Sequence, residues 1–322
     1  MAWRLRLAPE KTNINFFRVQ WITLGLSAAL VLVSFLSFAI LGFNFGIDFK
    51  GGTTIRTESS IPVDVGAYRS ALQELGLGDV TITEVFDPTF DADQHVVQVR
   101  IAPQEGQEAV TPETILAVED ALRAIDPGMT FPSVESVGPK VSGELIRTAF
   151  LAIALASVGI GIYIWLRFEW QYSVGTIVAL LHDVIVTAGI FSLFQLKFDL
   201  TIVAALLTIL GYSVNDTVVV FDRLRENLLK YKAMPLRDVM NLSVNETLSR
   251  TLVTAGTTLL ALIPLLIFGG DVIRGFIFAM TLGVFVGTYS SVYVAKNIVL
   301  WMGLPRGEKV RKSTNEFADI DA

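Results

Sequence analysis

The chain has 322 residues, of which 52% are hydrophobic and 17% are charged, and its formal net charge is −6. Its mean hydropathy of +0.57 is too high for an ordinary soluble domain, so the composition indicates a polytopic membrane protein. The sequence has no cysteine, which excludes disulfides and thiolate metal sites, and its two distant histidines do not suggest a histidine-rich metal site.

Six stretches with few charges are long enough to cross a membrane as helices. The first, 19–47, has a hydrophobic core over 21–41, which is too long for a cleavable signal peptide. The other five are 148–166, 170–196, 200–221, 251–270 and 275–301. We therefore predict six transmembrane helices, with one hydrophilic segment between the first and the second.

The distribution of lysine and arginine predicts the orientation, because these residues accumulate in cytoplasmic loops. Residues 48–147 carry 7 basic and 17 acidic side chains, so this segment is expected outside the cytoplasm. Both chain termini and the segment 222–250 are expected in the cytoplasm. The basic residues behind this prediction are Arg4, Arg6, Lys11, Arg18, Arg223, Arg225, Lys230, Lys232, Arg237, Arg250, Arg306, Lys309, Arg311 and Lys312.

The external segment alternates strand and helix patterns. "TTIRTE", "VTITEVF", "HVVQVRIA" and "GMTFPSVESVG" are typical of strands, with an aspartate-rich turn between the second and the third. "VDVGAYRSALQELG" is a helix that Gly76 ends, and "TPETILAVEDALRAI" is a helix with Thr111 as N-cap and Pro112 at its first position. The order βαββαβ predicts a ferredoxin-like α+β domain. Its acidic surface is interpreted as a solvated face, the alternative being a docking surface for another polypeptide.

Polar residues inside the apolar runs are expensive, so they mark a candidate site. Asp216 lies about 9 Å from the middle of the fourth run toward the cytoplasm. Arg250 opens the fifth helix on the same side, so we expect the two side chains at similar depth. Other polar residues of helices three to five are expected near them: His182, Asp183, Tyr212, Ser213, Asn215, Thr247, Thr251, Thr254, Thr257 and Thr258.

The functional hypothesis is a proton relay built on Asp216, with Arg250, Asn215 and Thr254 as its partners. A second tier of polar residues comprises His182, Asp183, Ser213, Thr251 and Thr258. The alternative is a structural ion pair that sets helix register, with hydroxyl groups bonding between helices. For the polar pair His182-Asp183 in the third helix, a neutral His182 that is hydrogen-bonded to a neighbour is an equally simple explanation. Lys296 is interpreted as a residue that snorkels to the interface.

Four segments of the chain resemble the SecD/SecF family of bacterial protein-export membrane proteins, within the resistance-nodulation-division superfamily. They are "FNFGIDFKGGT" (43–53), "LHDVIVTAGIF" (181–191), "LTILGYSVNDTVVVFDRLREN" (207–227) and "LSRTLVTAGTTLLALIPLLIFGG" (248–270). The resemblance covers essentially the whole chain. The length, six helices and single external domain are similar to the SecF branch, because SecD has a larger periplasmic region and fused SecDF chains have twelve helices.

The resemblance implies a function in protein export that is not enzymatic. It implies SecD and the SecYEG channel as partners, with YajC and YidC as further candidates, a translocating preprotein, and no nucleic acid. The energy source is the proton gradient and no cofactor is expected. Asp216 and Arg250 match the family's functional carboxylate and arginine. Asp48, Gly51 and Gly52 belong to the signature at the membrane exit and are expected to form a turn or hinge, or an ordinary tight turn.

The resemblance also implies a place in the bacterial inner membrane, with both termini cytoplasmic and one periplasmic domain. The predicted division is a tail 1–20, a first transmembrane helix 21–47, the periplasmic domain 48–146, a five-helix remainder 147–301 with a cytoplasmic loop 222–250, and a tail 302–322. Two other functions stay open. One is a subunit of a proton-coupled small-molecule exporter of the same superfamily, and the other is a scaffold of the translocon that transduces no energy.

Overall fold

The computed structural model describes residues 12–85, 90, 94–103 and 110–304. In chain order its elements are α1 (Gln20–Ile40), β1 (Asn44–Phe45), α2 (Ile47–Lys50), β2 (Gly52–Ser59), α3 (Val65–Gln73), β3 (Val80–Val85), β4 (His95–Ile101), α4 (Pro112–Arg123), β5 (Thr130–Val137), α5 (Pro139–Arg167), α6 (Trp170–Leu193), β6 (Lys197–Phe198), α7 (Leu200–Lys230), α8 (Leu236–Phe268), α9 (Asp271–Ser290), a π-helical turn (Ser291–Ala295) and α10 (Lys296–Met302). Apart from Arg18, the basic residues of both tails lie outside the described residues, and so do the three aspartates of the turn, Asp87, Asp91 and Asp93.

Six helices of the described chain are long and apolar enough to cross a membrane, as predicted. They are α1, α5, α6, α7, α8 and the span Val272–Met302, which joins α9 to α10 through the π-helical turn. In the most apolar part of each helix, 61% of the residues of α6 and 50% of those of α7 are buried. The corresponding share is 17% in α1, α5 and α8. Helices α6 and α7 therefore form the centre of the bundle, and α1, α5 and α8 present their apolar faces outward.

Close helix contacts in the bundle depend on small residues. A Cβ atom at Gly189 of α6 would collide with Ser34 of α1, and one at Gly283 of α9 would collide with Ile209 of α7. Small residues let helix backbones approach closely where lipid supplies no hydrophobic drive between helices.

The domain between α1 and α5 is the predicted ferredoxin-like fold. Its antiparallel sheet has the order β3-β4-β2-β5, and α3 and α4 cover one face. Alternation along β4 turns Val97, Val99 and Ile101 toward the helices, where all three are fully buried. The side chain of Thr111 accepts the hydrogen bond of the Thr114 N–H and begins α4 as an N-cap, as its position before proline predicts.

Two segments differ from the apolar runs in the sequence. Helix α1 ends at Ile40, because the left-handed backbone of Gly42 (φ 65°) turns the chain and its N–H bonds back to the Ser37 carbonyl. The charged segment 222–250, expected as a loop, is helical except near 231–235, so α7 and α8 extend beyond the apolar runs. The Arg223 guanidinium joins the two extensions, because it pairs with Glu226 of α7 at 2.6 Å and with Glu246 of α8 at 2.7 Å.

Candidate functional site

Asp216 lies in the middle of α7, and only 3% of its side chain is exposed. Its Oδ1 atom lies 3.5 Å from the Thr254 hydroxyl of α8, which shares its single proton between this long contact and the Thr251 carbonyl at 3.0 Å. Its Oδ2 atom is buried and has no hydrogen-bond partner among the described residues. A buried carboxylate oxygen without a donor is costly, so this site has an open acceptor position for a proton or a water molecule.

Other unpaired hydroxyl groups lie on the same two helices. The hydroxyl oxygens of Tyr212, one turn before Asp216, and of Thr251, one turn before Thr254, are also buried without a partner in the described part of the chain. The hydroxyl groups of Thr257 and Thr258 instead bond to carbonyls of their own helix. Of the predicted threonine stripe, therefore, Thr254 alone is seen to bond to the carboxylate.

The four residues of the predicted relay occupy different positions. Thr254 contacts Asp216. Arg250 was expected to open the fifth helix, but it lies near the middle of α8, one turn before Thr254, because that helix begins at Leu236; from there it is close enough to act on the carboxylate electrostatically. No ion pair within 4 Å joins these two charges in the described structure, so Arg250 is a neighbour and not a bonded partner. Asn215 lies on the exposed side of α7.

Arg250 lines a cavity of about 550 Å³ between α5, α7 and α8. The cavity lies at the end of the bundle where α7 and α8 are joined, and its lining includes Val219, one turn from Asp216. Its other charged side chains are paired: Arg167 lies 3.8 Å from Asp222, and Arg223 bonds to two glutamates. The charged lining is Arg167, Asp222, Arg223, Glu226, Glu246 and Arg250.

The second buried carboxylate, Asp183 on α6, has a different environment. Its Oδ2 atom accepts hydrogen bonds from the hydroxyls of Ser213 on α7 (2.6 Å) and Ser290 on α9 (2.8 Å). Its Oδ1 atom lies 3.0 Å from Nδ1 of His182, which must donate because a carboxylate only accepts. Asp183 thus binds three helices together, and it takes Ser213 away from Asp216, where the sequence had suggested it.

Lys296 does not snorkel, contrary to the interpretation of the sequence, because it is 0% exposed. Its ammonium group lies 4.1 Å from the centroid of the Phe17 ring and 5.2 Å from those of Phe16 and Tyr293. Aromatic faces stabilise a desolvated cation, so the N-terminal segment provides an environment for this charge. The signal was missed because Phe16 and Lys296 are far apart in sequence.

Two asparagines of α8 hold this N-terminal segment in place. Asn245 accepts a hydrogen bond from the Ile14 N–H (2.8 Å) and donates one to the Ile14 carbonyl (2.8 Å). Asn241 accepts from the Phe16 N–H at 2.9 Å. The segment before α1 is therefore part of the bundle and covers the Lys296 side chain.

The signature residues at the other end of the bundle form an ordered joint. Asp48 lies in the short helix α2, and its Oδ2 atom accepts a hydrogen bond of 2.9 Å from the Leu200 N–H at the start of α7. Gly51 and Gly52 have φ angles of 70° and 108°, and a Cβ atom at Gly52 would collide with the Ile101 carbonyl oxygen. The two glycines are therefore required for the backbone conformation and for close packing where β2 begins.

Comparisons with known proteins agree with this architecture. The family model described as "Protein export membrane protein SecD/SecF, C-terminal" matches residues 117–304, and the "SecD/SecF GG Motif" model matches residues 36–60. The chain is 66% identical over 324 residues to the protein translocase subunit SecF of Cereibacter sphaeroides, with 100% of each chain covered. It is 62% identical to the SecF subunit of Rhodobacter capsulatus, covering 98% of this chain and 97% of that one.

A solved structure is similar over most of the chain. The crystal structure of SecDF, a translocon-associated membrane protein from Thermus thermophilus, matches with a TM-score of 0.81 and 36% sequence identity. The match covers 92% of this chain and 39% of the SecDF chain, so the present chain spans about two fifths of that longer protein. Since the matches extend over the whole length of SecF relatives, this multi-pass membrane protein belongs to the SecD/SecF family of protein-export membrane proteins, as one of its SecF translocase subunits, which are transporters and not enzymes.

Proposed function

We propose that this chain is the SecF half of a SecDF complex that uses the proton motive force to promote preprotein translocation after the SecA/SecYEG step. Asp216 is the proton-binding carboxylate in this proposal. The observation that supports it most directly is the unpaired, buried Oδ2 atom of Asp216. The three donors around Asp183 give a useful contrast, because that carboxylate has its hydrogen bonds already in place.

The charged cavity supports a proton route to one side of the membrane. The basic segment at the α7–α8 junction is expected in the cytoplasm, so the cavity opens toward that side. Its lining reaches from Arg250 to Val219, one turn from Asp216. A movement of Arg250 toward Asp216 favours the ionised carboxylate, and a movement away favours the protonated one. Each proton carries about 2.3 kcal/mol per 100 mV of membrane potential, which is the energy available for movement of the periplasmic domain.

The proposed partner is SecD, since the SecDF chain that this structure resembles is more than twice as long as the matched part. The outward apolar faces of α1, α5 and α8 leave room for lipid or for partner helices. SecYEG, with YajC and YidC, is the proposed neighbour that delivers the preprotein. The proposed location is the inner membrane, with both termini cytoplasmic and the ferredoxin-like domain in the periplasm.

Asp216→Asn tests the proposal. The amide is nearly isosteric with the carboxylate and cannot exchange a proton, so we expect normal assembly with SecD and loss of the gradient-dependent part of preprotein export. Export into membrane vesicles is measured with and without a protonophore, and assembly is measured by co-purification. Asp238→Asn is the control, because Asp238 is an exposed carboxylate in the first turn of α8 and lies outside the cavity lining; export with this variant should remain gradient-dependent.

The two alternatives predict different results. A scaffold without energy transduction keeps its gradient-dependent export with Asp216→Asn. A small-molecule exporter leaves secreted precursors processed normally when the protein is depleted, and its loss raises sensitivity to toxic compounds.

A further inference from the structure

We propose that Asp48 couples the periplasmic domain to α7, the helix that carries Asp216, by capping the first turn of that helix. The juxtaposition is between the start of α7 and the signature helix α2, which ends one residue before β2, one of the two central strands of the domain. The inference rests on the proposed function, because it requires that a change of state at Asp216 be passed on to the domain.

The hydrogen bond from the Leu200 N–H to Asp48 joins positions 152 residues apart. The first N–H groups of a helix have no acceptor within the helix, so another group must supply one. Asp199 accepts from the N–H groups of Thr201 (3.0 Å) and Ile202 (3.3 Å), which leaves the Leu200 N–H to Asp48. Two carboxylates therefore hold this helix end, one from the neighbouring residue and one from the segment leading to the domain.

The contact is part of a wider joint. Strands β1 and β6 pair in parallel, with Asn44 opposite Lys197, and the Gly46 N–H bonds to the Phe198 carbonyl at 2.8 Å. Phe49 of α2 is buried in one cluster with Val203 of α7. The segment around Asp48 thus packs against the start of α7 through backbone, aromatic and polar contacts together.

The joint leads directly into the sheet of the domain. Strand β2 begins at Gly52 and pairs with both β4 and β5. The covalent connections of the domain lead to α1 and α5, whereas Asp48 reaches the helix that carries the proton-binding carboxylate. Asp216 lies about 24 Å from Leu200 at the rise of an α-helix. Because α7 is one helix without proline over this distance, a shift of Asp216 along its axis displaces the Leu200 N–H and, with it, Asp48.

The test measures whether Asp48 transmits a change at Asp216. Spin labels on Ser70→Cys, exposed on α3, and Phe194→Cys, exposed at the end of α6, report the distance between domain and bundle. This chain has no native cysteine, so the two labels are its only ones, and SecD is used in a cysteine-free form. In the complete complex with SecD in lipid, Asp216→Asn is expected to shift the distance distribution. With Asp48→Ala in addition, we expect this shift to be lost.

Controls separate coupling from ordinary capping. Asp64→Ala removes another capping aspartate, the one that accepts from Gly66 N–H and Ala67 N–H within the domain, and it should keep the shift. Asp48→Asn retains an acceptor oxygen and should restore the shift. Leu200→Pro removes the donor at a helix position where proline is tolerated, so it should act like Asp48→Ala.

The possible outcomes are distinct. A shift of normal size with Asp48→Ala or Leu200→Pro overturns the coupling while leaving the proposed function intact. The absence of any shift with Asp48 present also overturns it, because there is then no movement to transmit. In that case the export assay with Asp216→Asn decides the proposed function separately.

Discussion

Truncation of the two buried carboxylates should destabilise the protein to very different extents. Asp183→Ala leaves the donors of His182, Ser213 and Ser290 without their carboxylate. Hydrogen bonds to a charged group are worth about 1.5–3 kcal/mol each, which sets an upper range of about 4.5–9 kcal/mol. The Ser290 hydroxyl also lies 3.1 Å from the Gly287 carbonyl and can turn to it. We therefore expect a loss of about 3–6 kcal/mol in the free energy of unfolding.

Asp216→Ala is the matched comparison, because Asp216 accepts only the long bond from Thr254 and keeps one oxygen unpaired. Its expected cost is within about 1 kcal/mol, which is the usual worth of one weak interhelical bond. Both free energies are measured by unfolding in mixed micelles with dodecyl sulfate, followed by tryptophan fluorescence. Equal costs for the two variants, or a cost below about 1 kcal/mol for Asp183→Ala, refute the assignment of Asp183 as structural and Asp216 as functional.

Two predictions concern the ferredoxin-like domain between α1 and α5. Gly52→Ala should lower the free energy of unfolding of the domain by about 2–4 kcal/mol, because of the backbone conformation of Gly52 and the collision of a Cβ atom there. Gly76→Ala should lower it by about 1 kcal/mol, because a Cβ atom at Gly76 meets open space. The protease resistance of the domain measures both effects. The hydroxyl of Ser59 and the N–H of Gly128 hold the pKa of Asp126 below its usual range. Its ionised form therefore stabilises the fold above about pH 4, and this contribution disappears as the pH falls through the lower folded pKa. In thermal unfolding, the wild type should have a higher Tm than Asp126→Asn at neutral pH, and the two Tm values should converge in acid. A difference in Tm that stays constant with pH would contradict this.

Patterns local in sequence predicted the elements that position the site. The apolar runs gave the six spans, since a helix must satisfy its own backbone in lipid. Thr111 before Pro112 indicated the start of α4, and the alternation in "HVVQVRIA" indicated the buried face of β4. Helical spacing also placed Thr254 on the face of α8 that meets Asp216. Arg250 was expected to open that helix; it lies near the middle of α8 instead, because the helix begins at Leu236, and it stands beside the carboxylate without an ion pair among the described residues.

The sequence alone determined which residues are polar at membrane depth, and it determined the order of strands and helices outside the membrane. Only the tertiary structure decided which of these polar groups are paired. Ser213 and Ser290, which satisfy Asp183, lie 30 and 107 positions from it, and Leu200 lies 152 positions from Asp48. Periodicity describes the faces of single helices, whereas a hydrogen bond of 2.6–2.9 Å depends on how two helices are packed. The same packing buries Lys296 among Phe16, Phe17 and Tyr293 and leaves Asp216 with an open oxygen.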